Sequence, residues 1–175
     1  MRLIEFINKI PKDQMPMIRK YSERRTKFFG VHLQDITHVS YRDIKLTIPD
    51  LLERGKLDEV IQLVFRYKRK RLYLWRVRRL DNFEKLKFLF WIEDQYMLIN
   101  QLEQRYWTSP PDPKMVAAGI KELDPLGHTN LIDSLANGDV LKWDEVWDLP
   151  YWKIFDKQRK AVIDRKIAKN LNKQK

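Results

Sequence analysis

The sequence predicts an all-α protein: a helical body with two long central helices, or one kinked long helix, followed by a compact C-terminal helical unit. Three observations predict it. Apolar residues recur at helical spacing, as in Leu57, Val60, Ile61, Val64 and Phe65. Capping and stopping residues bracket such stretches, with Ser40-Tyr-Arg-Asp43 and Asp81-Asn-Phe-Glu84 as boxes and Gly55 and Asn137-Gly138 as stops. Hydrophobic residues make up 43% of the 175, enough for a core and too many for a disordered chain.

Taken in order, Leu3, Phe6, Ile7 and Ile10 mark a short first helix that Pro11 and Pro16 end. Residues 17–29 are basic and weakly periodic, and Phe28-Phe29-Gly30 closes them. Val31 to Val39 reads equally as extended chain or loop. The first capping box predicts a short helix over Tyr41–Leu46. Pro49 opens another, Pro49–Arg54, which Gly55 stops by taking a left-handed conformation. A third starts after Lys56, with Asp58 and Glu59 where a helix N-terminus favours negative charge, and is expected to run on to Leu80. Asp81 then either caps a new helix or lies inside one very long one. Beyond it Phe83, Leu86, Phe90, Met97 and Leu102 mark one face and Leu89, Trp91, Ile92, Tyr96 and Ile99 widen it, a pattern for a helix buried between neighbours.

That helix ends near Trp107. Thr108-Ser-Pro-Pro-Asp-Pro113 is the strongest linker in the chain, so the division expected is a body over 1–107, a linker over 108–113 and a C-terminal unit over 114–175. Past the linker, Met115–Leu123 reads as a helix, Asp124–Gly127 as a turn, and Asn130 opens a helix that Asn137-Gly138 closes. Val140, Leu141, Trp143, Val146, Trp147 and Leu149 follow. Pro150 starts the last helix, with Ile154, Phe155, Ala161, Val162, Ala168 and Leu171 along one face.

The charge is unevenly placed. The chain carries +11 overall, but residues 66–79 alone carry +8, 106–152 carry −5 and 153–175 carry +7. Within 66–79, Arg66, Lys68, Arg69, Lys70, Arg71, Arg76, Arg78 and Arg79 are interleaved with Tyr67, Tyr73 and Trp75 and meet no acid. As a helix this segment is charged around well over half its circumference, so it does not bury most of its girth on a protein core. It suits phosphates and stacked bases, or an acidic protein surface, or it is a solvated face in which only Leu72, Trp75 and Leu80 matter. The alternation of basic and acidic blocks favours a self-complementary subunit, the acidic block of one copy meeting the basic segment of another.

Signals for catalysis are weak. There is no cysteine, hence no disulfide, thiolate metal site or cysteine nucleophile. His32, His38 and His128 have no metal-ligand spacing, and the glycines form no phosphate loop or nucleophile elbow. Asp144 and Asp148 stand at i, i+4 and have the spacing for a hydrated Mg²⁺. The better reading is that acids open a short helix there and meet basic neighbours. No catalytic, cofactor or metal residue is expected, and no cofactor. Neither is a membrane span, because no apolar run approaches ~18 residues. The N-terminus, interrupted by Glu5, Asn8 and Lys9, lacks the core of a signal peptide, so synthesis in the cytoplasm is expected.

The segments Ala118-Gly-Ile-Lys-Glu-Leu-Asp-Pro-Leu-Gly127, Leu131-Ile-Asp-Ser-Leu-Ala-Asn-Gly-Asp139 and Lys142-Trp-Asp-Glu-Val-Trp-Asp-Leu-Pro-Tyr-Trp-Lys-Ile-Phe155 resemble small structural and assembly proteins of tailed bacteriophages. The likeness covers about residues 116–172 and is one of hydrophobic anchors and turns; the basic segment lies outside it. It implies an all-helical, non-enzymatic virion protein in the portal, head–tail connector or tail ring region. Such a protein is made in the host cytoplasm and contacts copies of itself and other virion proteins, with DNA passing nearby. From the charge blocks and the aromatic excess, Trp143, Trp147, Trp152 and Phe155 are expected as buried anchors of a subunit interface or of the core. The alternatives are a nucleic-acid-binding accessory protein using 66–79, or a tail-assembly chaperone.

Overall fold

The structure, a computed structural model, describes Pro16 and residues 27–28, 31–32, 35–67, 77–107 and 113–173. The fold is all-α. Among the described residues the one pairing of strands, β1 (Lys27–Phe28) against β2 (Val31–His32), is antiparallel and two residues long, too short to make a sheet layer. The helix expected over residues 3–10 lies outside the described residues. The Val31–Val39 stretch is extended at its start and a turn at its end, where Asp35 accepts bonds from the Thr37 backbone and hydroxyl.

The chain divides into two compact units, residues 1–39 with 43–100, and residues 40–42 with 101–175. This differs from the expected break at the proline-rich linker. Prolines punctuate the backbone, but side chains ahead of them decide the packing: Tyr106 and Trp107 lie against Phe155, their ring centroids each 5.8 Å from it.

In the first unit, helix α1 (Ile48–Glu53) follows a π-helical turn, Asp43–Thr47, so residues 41–53 form one helical run where two short helices were expected. Pro49 has no N–H to give the Lys45 carbonyl and its ring crowds that group, which a wider turn relieves. Tyr96 donates to the Ile44 carbonyl inside this turn at 2.6 Å. Gly55 takes φ 68° and ends the run as its sequence position predicts.

Helix α2 (Leu57–Tyr67) buries Leu57, Val60, Ile61, Val64 and Phe65, the five residues of the apolar pattern. Its expected extension falls outside the described residues over 68–76. Residues 77–78 are helical, Leu80 closes a turn onto the Val77 carbonyl, and α3 (Asn82–Trp107) starts after Asp81. The break at Asp81 answers whether one helix spans 57–107: it does not.

Residues 85–92 of α3 are buried around nearly the whole helix, with Phe88 between Phe65 and Trp91. Met97 and Leu98 lie exposed beyond that collar. Two lysines sit inside it. Lys87 pairs with Glu84 and lies over the Phe83 ring, and Lys85 reaches Asp58 of α2 at 2.6 Å.

The second unit comprises the end of α3, α4 (Pro113–Ala117), a 3-10 segment Ile120–Leu126, α5 (His128–Leu135), a 3-10 turn Val140–Lys142, α6 (Trp143–Trp147) and α7 (Tyr151–Lys173). The expected Met115–Leu123 helix is split at Gly119, whose φ of 87° ends one piece and starts the other. Asn137 and Gly138 both take positive φ and close α5, as predicted. Asp139 caps the next turn by accepting from the Leu141 N–H. No helix among the described residues is long and apolar enough to cross a membrane.

The Lys85–Asp58 pair generates a prediction. Replacing Asp58 with Asn strands a buried ammonium and should lower stability in urea by about 2 kcal/mol without changing the m-value. The double replacement Asp58→Leu with Lys85→Met should recover most of that loss.

Candidate interaction site

The second unit is organised around Tyr41, a residue that the sequence places far from everything it touches. Residues 40–42 lie along the turn before α7: Ser40 bridges Pro150 and the Tyr41 N–H donates to the Leu149 carbonyl at 2.8 Å. The Tyr41 ring is fully buried, stacked on Tyr151 at 6.0 Å and flanked by Trp147 at 5.6 Å. Its hydroxyl shares a 2.9 Å hydrogen bond with His128 Nδ1. Tyr151 in turn donates to Glu103 Oε1 at 2.7 Å and stacks on Phe155. The result is a continuous aromatic cluster of Tyr41, Tyr151, Phe155, Trp107 and Tyr106, with the Tyr41 and Tyr151 hydroxyls tied off at its edge.

Next to it, Arg42 resolves the question of the paired carboxylates. Its Nη2 lies 2.7 Å from Asp144 and its Nε 3.1 Å from Asp148, so one guanidinium spans both acids of the i, i+4 pair. These contacts raise the affinity of Arg42 for its proton, the Asp144 hydrogen bond contributing most. Acids meeting a basic neighbour was the better reading of this pair. No group of three or more His, Asp or Glu among the described residues stands together as a metal site. Asp139 and Lys142 form a further exposed pair at 2.9 Å, the hydrogen bond holding the carboxyl low and the ammonium high.

The four expected anchors part company. Phe155 is core. Trp147 is half-buried against Tyr41, and Trp143 is half-buried with its indole N–H donating to Asp133 at 3.1 Å. Trp152 is exposed, because α7 turns it away from the face that carries Tyr151, Ile154 and Phe155. Of the basic segment, Arg66, Arg78 and Arg79 are exposed in the first unit; Lys68, Arg69, Lys70, Arg71, Trp75 and Arg76 lie outside the described residues. Tyr67, offered by sequence for stacking, spends its hydroxyl on Asp43 at 2.6 Å.

Sequence reasoning missed Tyr41, Arg42, Glu103 and His128. The Ser40–Asp43 signal was read as a local cap, whereas what marks these residues is partnership across more than 45 positions. No protein-family model, no curated protein and no solved structure matches the chain.

The buried phenols carry a pH consequence. Burial pushes the Tyr41, Tyr96 and Tyr151 hydroxyls above the ordinary 10.0, helped by the charge of Glu103 on Tyr41, that of Asp43 on Tyr96 and the Glu103 hydrogen bond on Tyr151. The native protein thus holds protons that the unfolded chain releases above pH 10. Their stabilisation is complete below that pH and falls as pH rises through it. In a spectrophotometric titration, three phenols should ionise together with the loss of far-UV circular dichroism.

Proposed function

We propose that this chain is a non-enzymatic structural subunit of a tailed-bacteriophage virion, in the portal, head–tail connector or tail ring region, working through protein–protein contacts. The observation that carries the reading is the surface of the second unit, the part that bears the resemblance. There Leu141 is 87% and Val140 61% exposed on a turn beside exposed Asp144 and Glu145. Two adjacent large aliphatic side chains held in water on a short turn capped by the Asp139 carboxylate support a contact with a partner there. The acidic and basic blocks supply the complementary charge that orients such contacts.

Mass spectrometry of purified virions tests this directly. The chain should be present in several copies per particle, and its absence would favour an assembly chaperone. Light scattering that showed a salt-independent monomer, with no binding to portal or tail proteins, would count against the structural reading.

The eight basic residues of 66–79 support nucleic-acid binding as the second reading. If about six phosphates are contacted, affinity for DNA should fall by roughly three decades between 50 and 200 mM salt. The triple replacement of Arg76, Arg78 and Arg79 by Gln should remove most of that slope in a gel-shift titration.

A further inference from the structure

Helix α7 has two apolar faces that point in opposite directions. Tyr151, Ile154 and Phe155 pack into the second unit. Ile163, Ile167 and Leu171, spaced i, i+4, i+8, are 44%, 53% and 58% exposed. At about 100° per residue, the centre of this stripe lies roughly 180° from the packed face. From Ile163 to Leu171 the stripe runs about 12 Å along the helix at about 1.5 Å per residue, and Trp152, on the same outer side, is separated from it by Asp156 and Lys160.

From Ile163 on, every side chain described is exposed. An isolated helical segment of that length is marginal in water, and one that keeps a row of large aliphatics calls for a partner.

The charges select the partner. The helix carries eight basic residues against two acidic ones, and Arg159 and Lys166 flank the stripe, so two such helices repel each other. The same unit exposes the opposite combination. Val140 and Leu141 lie exposed on a turn among Asp139, Asp144, Glu145 and Asp148, four acids against Lys142 and the Arg42 that spans Asp144 and Asp148. We propose that the outer face of α7 docks on this acidic, aliphatic turn, residues 139–148, of a second copy of this chain. The two surfaces differ, so the contact is heterologous: each copy gives one half and receives the other, and repetition builds a ring or an open chain. This rests on the assembly-subunit reading and names the contact that reading requires.

Sedimentation velocity on the full chain tests it, with circular dichroism to confirm that each variant stays folded. The wild type should self-associate, more tightly at low salt. Ile167→Asp breaks the helix half and Leu141→Lys breaks the acidic half, and each alone should weaken association at least tenfold. Mixed together, the two variants should form a 1:1 complex and nothing larger, because one intact half survives on each. A Leu141→Lys protein that assembles like the wild type while Ile167→Asp does not would overturn the proposed pairing. So would a mixture that stays monomeric. A wild type that assembles untouched by either change overturns this contact but leaves the structural-subunit reading standing. A wild type that is monomeric at every salt and concentration, and binds no virion protein, overturns both.

Discussion

The burial of Tyr41 is the constraint on which the second unit depends. A tyrosine that is wholly enclosed must satisfy its hydroxyl and its backbone at the same time as it fills space, and here one residue does all three. Its ring stacks on Tyr151, its N–H is taken by Leu149 and its hydroxyl by His128. An unpaired hydroxyl in that position would cost about 1–3 kcal/mol, so the placement of α5 and α7 is held by hydrogen bonding as well as by area. Arg42 extends the same logic into charge by joining Asp144 of α6 to Asp148 just past its end.

The ion pairs show how little of the charge pattern is spent inside the fold. Lys85 with Asp58 and Lys87 with Glu84 are the sheltered pairs, and both lie where α3 is enclosed on nearly every side. The other described pairs are exposed, and solvent screening leaves them little to contribute. Among the described residues, most of the charge therefore stays on the surface, available to partners rather than to stability. The same division runs through α7, whose inner face builds the unit and whose outer face and basic flanks do not.

Local signals were legible and remote ones were not. The five buried residues of α2, the start of α3 after Asp81 and the positive φ at Gly55 and Gly138 all follow from patterns a few residues wide. The break at Gly119 and the π turn before Pro49 were missed because each depends on how a specific backbone group is satisfied. On α7 the apolar spacing puts six residues on one face, yet Leu171 sits about 100° round the helix from Ile154 and is exposed, since helical spacing drifts over nearly five turns. Trp152, expected as an interface or core anchor, is not part of the core, because its position one step from Tyr151 turns it outward. Tyr41 was invisible for a different reason: nothing within ten residues of it reports a partner at Tyr151.

The route of the chain has a consequence for its synthesis. It passes from one unit to the other after Val39, returns after Arg42, and leaves again after Asn100. Tyr41 leaves the ribosome 110 residues before Tyr151. At about 5–20 residues per second that is a wait of roughly 5–20 s with its ring uncovered. The three residues 40–42 cannot settle until α7 has emerged. The second unit is thus completed only by side chains made 110 residues after the ring they enclose.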